Sequence, residues 1–190
     1  CYWGGAMNEC SDGLLTANAG ALQRILGDGA YDVGHISLGS GDGGMAYWNV
    51  VGTDYWKGGG CTGLAAPIGD VFATDYVAHE IGHQFGGTHT MNACHNSQGD
   101  SAMEPGSSST IMGYAGLCGG NDLQSNSDPY FSAFTIDQMH YWTGWAGEHV
   151  ASTHTVPVVT APESKTIPIR PPFALAAPGR EILMIERGPR

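Results

Sequence analysis

The chain has 190 residues, 42% of them apolar, 13% charged and 30 of them glycine. That is one domain's worth of core with room for a short appendage; it is no charged disordered tail and, without a G-x-y period, no collagen. No apolar run approaches the ~20 residues that span a bilayer, and 7 Lys+Arg against 18 Asp+Glu, a net charge of −11, argues against nucleic acid or an anionic membrane as partner.

Residues 11–26 read as an amphipathic helix, capped by Ser11 or Asp12, with Leu14, Leu15, Leu22, Ile25 and Leu26 as its stripe and Gly27-Asp28-Gly29 as its stop. Residues 31–38 alternate like a strand around Val33, Ile36 and Leu38. Gly39 to Gly44 reads as a turn, residues 45–51 as a second strand, and residues 52–70, with Gly58-Gly59-Gly60 and Pro67, as loop. Residues 71–86 form a second helix capped by Thr74 or Asp75, with Val77, Ala78, Ile81 and Phe85 on its apolar side. Residues 90–130 show almost no periodicity. Residues 135–145 form a third helix capped by Thr135, with Tyr141, Trp142 and Trp145 in its core.

The charge is uneven. Residues 1–150 hold 15 acids and two bases, Arg24 and Lys57, whereas residues 151–190 hold three acids, five bases and seven of the ten prolines. This divides the chain into a domain over 1–150 and a Pro/Thr-rich linker, or the start of a C-terminal β-sandwich module, over 151–190.

None of Cys1, Cys10, Cys61, Cys94 and Cys118 forms a C-x-x-C pair. Disulfides are the better reading, and they imply an oxidising, extracellular setting. Cys94 and Cys118 flank one loop and are the preferred pair; Cys10 with Cys61 is the second candidate, with Cys1 left over. The start at Cys1-Tyr2-Trp3 shows neither an initiator Met nor a signal-peptide pattern, the expectation for a processed or truncated chain.

The chemistry is concentrated in residues 79–89, HEIGHQFGGTH. Positions i and i+4 share a helix face, so His79 and His83 can turn their imidazoles to one metal. Glu80 lies about 100° round the helix from His79 and can reach a water on that metal without ligating it. Gly86 takes positive φ cheaply, so a helix broken there can bring His89 back as third ligand. Three imidazoles leave a tetrahedral Zn²⁺ one position short of closed, the catalytic arrangement. With this chain's composition the five fixed positions arise by accident about once in ten thousand trials. The competing reading is histidines that only pack or hydrogen-bond. His35 fits that reading; His95, His140, His149 and His154 lack metal spacing and read as solvent-exposed. The aspartates and Glu9 are candidate calcium ligands, without EF-hand spacing.

HExxHxxGxxH resembles the zinc motif of the metzincin metallopeptidases. Their second mark is a methionine in a tight turn beneath the metal, and STIMGY at 109–114 supplies Met112. TDYVAHEIGHQFGGTHT, EPGSSSTIMGYAGLCG and SDPYFS are similar to the bacterial reprolysin-like branch, over about residues 30–145. The resemblance implies an α/β (α+β) metzincin-type catalytic domain: a mixed twisted sheet with packed helices, a zinc helix and a Met-turn. It implies His79, His83 and His89 as zinc ligands, Glu80 as general base, Met112 as the floor of the site, and Tyr114 as a zinc ligand or oxyanion donor. Tyr114 can equally be a packed tyrosine. Thr90 stands where animal and snake-venom reprolysins carry Asp. Only 78 residues precede His79, fewer than the family's domain carries, which implies truncation at the N-terminus.

The expected function is therefore secreted, zinc-dependent hydrolysis of protein or peptide substrates. The strand at Met45–Val51 is the expected substrate edge, and the loop near Gly113–Gly116 the expected pocket wall. The alternatives are a non-catalytic zinc-containing module of the same fold and a hydrolase of non-peptide amides.

Overall fold

A computed structural model describes residues 9–146 and the strand at 183–186, with backbone alone for 145–146 and 183–186. Cys1, the Trp145 side chain, His149, His154 and the proposed boundary and linker after residue 150 lie outside the described residues, apart from that strand.

Helix α1 (Asp12–Leu26) is capped by Ser11, whose side chain accepts from the Leu14 amide. It ends at Gly27, whose φ of 85° suits only glycine without strain. Leu14, Leu15, Ala19 and Leu22 face inward, whereas Ile25 of the expected stripe is 70% exposed. Leu14 and Leu15 meet Leu38 and Cys61 in the core, so α1 packs across the sheet. The Cys10–Cys61 disulfide ties the approach to α1 onto that sheet.

The sheet has the order β2-β3-β1-β4. Strand β1 (Gly34–Leu38) runs parallel to β3 (Gly60–Leu64) and to β4 (Leu183–Glu186), while β2 (Asp42–Ala46) runs antiparallel to β3, pairing Asp42 with Leu64 and Ala46 with Gly60. The mixed sheet is as expected; two of its strands are not where sequence periodicity put them. β3 falls in a segment read as loop. Its small residues are imposed by neighbours: a Cβ at Gly60 would lie 2.3 Å from Gln84 Oε1 and 2.5 Å from His35 Nδ1. Tertiary packing here overrides β-propensity. β2 begins inside the expected glycine turn and ends at Ala46. Beyond Tyr47, whose amide still donates to Gly59 O, the chain leaves the sheet because its amides are used elsewhere. Asn49 donates to His83 O, and Val50 and Val51 both donate to Gln84 O. They bond to carbonyls of the helix's last turn, where intrahelical donors run out.

That helix is continuous but not uniform. It is α-helical at Gly69–Val71 (α2), π-helical at Phe72–Ala78 and α-helical again at His79–Gln84 (α3). Thr74 and Asp75 lie inside it rather than at its start, which corrects their reading as caps. Asp75 instead accepts from the Ser127 amide at 2.7 Å. Helix α4 spans Ala133–Ala146. Its cap is Ser132, whose Oγ accepts from the Thr135 amide; Thr135 is fully buried inside the first turn. Tyr141 is 78% exposed and so not core, while Trp142 is half-buried against Gly86.

Between the helices, residues 90–130 are irregular, as their lack of periodicity implied. The Cys94–Cys118 disulfide closes much of this segment, and Met91, Ile111 and Met112 are buried beneath it. Among the described residues no helix is long and apolar enough to cross a membrane.

Candidate metal centre

His79 and His83 stand one turn apart on α3, their rings 4.8 Å apart and nearly perpendicular. The helix then stops on Gly86, at φ 96°. The Gly86 amide donates to His83 O and the Gly87 amide to Gly82 O, the paired closure of a Schellman turn. The chain reverses, and His89 swings back. Its Nε2 lies 3.2 Å from His79 Nε2 and 3.1 Å from His83 Nε2.

The other ring nitrogens decide what those three atoms are. His79 Nδ1 is 2.7 Å from Ile111 O, His83 Nδ1 is 2.8 Å from Gly87 O, and His89 Nδ1 is 3.1 Å from Asn96 O. A carbonyl only accepts, so each Nδ1 carries the proton and each neutral ring turns a lone pair from Nε2 to the common point. Burial holds His79 down at about 4, keeps His83 well below the usual histidine range, and lowers His89. All three are therefore neutral near pH 7. Three acceptors facing one another repel unless a cation lies between them. Tetrahedral zinc with N at ~2.0–2.1 Å separates its ligand nitrogens by about 3.3 Å, close to the spacing here, so the donor set fits zinc. Among the described residues these buried histidines are the one such group of His, Cys, Asp or Glu side chains; the expected calcium ligands assemble no site.

Glycines create the clearance. A Cβ at Gly82 would lie 2.5 Å from Met112 Sδ, so α3 rests directly on the fully buried Met112. A Cβ at Gly44, on β2, would meet Glu80 Cγ at 2.3 Å and Oε1 at 2.5 Å. Glu80 is thus seated against the backbone of the edge strand. It is 8% exposed, and burial pushes its carboxyl up to about 8; a dication beside it would pull the other way.

Tyr114 stands at the same centre, its ring 4.7 Å from that of His89 and 5.6 Å from that of His79. Burial raises its pKa, the Asn96 amide lowers it and the Glu80 charge raises it further. Asn96 Nδ2 donates to the hydroxyl at 3.4 Å, which leaves the phenolic proton available. Thr90 is fully buried, with its hydroxyl 3.3 Å from Ser108 Oγ. Nearby, burial works to raise the Glu104 pKa, but the Thr110, Thr90 and Ser108 hydroxyls and the Ser109 amide bring it below its usual value.

Several contributors have no sequence signal of their own. Trp48 stacks on His83 at 5.5 Å. The carbonyls of Ile111 and Asn96 are backbone groups, and only the positive φ of Asn96, 62°, relates to its residue type. Gln84 follows His83 in the motif. Its side chain donates to Gly34 O at 2.9 Å and accepts from His35 Nδ1 at 3.0 Å, while His35 Nε2 lies 2.7 Å from Thr62 Oγ1. His35 is accordingly a hydrogen-bonded core histidine that helps bind α3 to the sheet. His95 and His140 are exposed.

A family model described as Metallo-peptidase family M12B Reprolysin-like matches residues 4–141, well over half of the chain. Neither curated proteins nor solved structures match it.

Proposed function

The chain belongs to the reprolysin-like M12B metallopeptidases, and from that premise we propose that it is a secreted, zinc-dependent endopeptidase with Glu80 as general base. The observation that carries the reading is the convergence of three Nε2 lone pairs beside a carboxyl that makes no hydrogen bond to protein among the described residues. Zinc held by His79, His83 and His89 would lower the pKa of water toward ~7 and polarise a peptide carbonyl.

The chain's own groups do the rest. Glu80 takes a proton from the attacking water and delivers it to the leaving amine. The Tyr114 hydroxyl donates to the oxyanion. The peptide lies extended on the edge of β2 that pairs with no strand among the described residues, held by main-chain hydrogen bonds as an added strand, and the Gly113–Gly116 loop walls the pocket on one side. Two disulfides support secretion.

Peptide cleavage by the zinc-loaded protein tests the reading, with and without chelator and with Glu80→Ala. Turnover abolished by chelation, and by Glu80→Ala with zinc retained, is expected. Zinc bound without chelator-sensitive turnover would leave a non-catalytic module. Cleavage-site profiling on a denatured protein library separates peptide hydrolysis from action on another amide. Absence of the protein from the medium of its native cells would overturn secretion.

A further inference from the structure

Beyond the end of β2 lies an open hollow of about 450 Å³ lined by Asp12, Thr16, Tyr47, Trp48, Val50 and Trp56. Nothing in the proposed chemistry uses it, yet it adjoins the metal centre, since Trp48 both lines it and stacks on His83. Trp48 and Trp56 are each 47% exposed. Two half-exposed indoles beside one hollow form a contiguous apolar patch of the kind that marks a ligand groove.

The walls are held in place. The Tyr47 ring meets Trp56 edge-on at 5.3 Å. It also fills the space at Gly59, where a Cβ would lie 2.2 Å from Tyr47 Cδ2. Its hydroxyl donates to Asp12 Oδ1 at 2.5 Å, so Thr16 Oγ1, 3.1 Å away, donates to it in turn. Asp12 itself is exposed, and its second carboxylate oxygen has no partner among the described residues. Among the described residues no base lines the hollow. Lys57, next in sequence to Trp56, is buried, donates to Asp28 O and lies over the Tyr31 ring.

We infer that this hollow is a substrate subsite for an arginine side chain near the cleaved bond, with the guanidinium stacked on the indole faces and paired with Asp12. The occupant rests on the endopeptidase reading. Charge and ring chemistry select it: indole faces attract cations, a planar and weakly hydrated guanidinium stacks better than an ammonium, and the carboxylate adds directed acceptors. An acidic side chain would meet Asp12 unfavourably.

Binding and cleavage are measured separately. The zinc-loaded full chain carrying Glu80→Gln is titrated with ten-residue peptides in which Arg, Leu, Phe or Glu is moved through an Ala/Ser background, with tryptophan fluorescence as readout. Arg at one position should lower Kd roughly tenfold against Leu and Phe. Asp12→Asn should bring that ratio to within about twofold, and Asp12→Lys should invert it in favour of Glu. An Arg preference absent at every position, or one that survives Asp12→Lys, overturns the subsite. Cleavage by the unsubstituted chain is scored beside it: cleavage without Arg-selective binding refutes the subsite alone, whereas Arg-selective binding without cleavage supports the subsite and refutes the endopeptidase.

Discussion

The short helix that carries His79 and His83 and the irregular segment after it contribute to one candidate centre in different ways. Helix α3 supplies His79, His83 and Glu80 through regular spacing, so their identity is a local property. Residues 90–130 supply the Asn96 and Ile111 carbonyls, Met112 and Tyr114. These orient and support what the helix presents. The residue types are thus set by a motif, whereas the tautomer and ring direction of His79 and His89 are set by carbonyls of a cross-linked loop.

The helix can be broken chemically without touching the loop. Glu80→Gln should retain zinc at one ion per chain while lowering kcat/KM by about 10²–10⁴, the usual share of general acid–base catalysis. Metal analysis beside peptide kinetics checks this, and a variant that also lost zinc would mean that Glu80 holds the metal.

The complementary break leaves α3 intact and frees the loop. Replacing Cys94 and Cys118 by Ser removes a cross-link spanning 24 residues and should cost about 3 kcal/mol in denaturant unfolding. Zinc affinity should fall by about 10–100-fold as the Asn96 carbonyl loses its position. Unchanged affinity in a destabilised protein would show that α3 orients His89 without the loop.

A third test addresses how α3 is fastened to the sheet. Burial holds His35 down at about 4 while Gln84 raises it. The unfolded chain, near ~6.5, therefore takes up a proton first. The stabilisation is fully present above pH ~6.5 and disappears as pH falls toward 4, by about 3 kcal/mol in all. Unfolding free energies across that interval should show a shallower slope for His35→Asn than for the unsubstituted chain.

The smallest effect sharpens the seat of Glu80. Gly44→Ala adds a methyl at 2.3 Å from Glu80 Cγ and should lower kcat by about 10–100-fold by displacing the carboxylate. Zinc stoichiometry should not change, because the three atoms nearest the added methyl all belong to Glu80. Kinetics matching the unsubstituted chain would place the reactive position of Glu80 elsewhere.

The make-up of the candidate site was largely legible before the fold. The motif marked the three histidines that the structure brings together and the turn at Gly86, and STIMGY marked the Met112 that lies under α3. Sheet boundaries were not legible. β3 carries Gly60 and Cys61 where Gln84, His35 and a disulfide occupy the space beside it, and such contacts leave no periodicity. The strand expected at 45–51 fails for a related reason: its apolar residues follow a chain whose amides bond to the last turn of α3. The hydroxyl network of Thr90, Ser108, Thr110 and Glu104 reads in sequence as ordinary loop composition, because only folding brings its members together.

X-ray absorption at the zinc edge of the loaded, unsubstituted protein tests the central claim most directly. Three imidazole nitrogens and one light solvent atom at about 2.0 Å are the predicted first shell. A sulfur scatterer, or four protein ligands with no solvent atom, would contradict it.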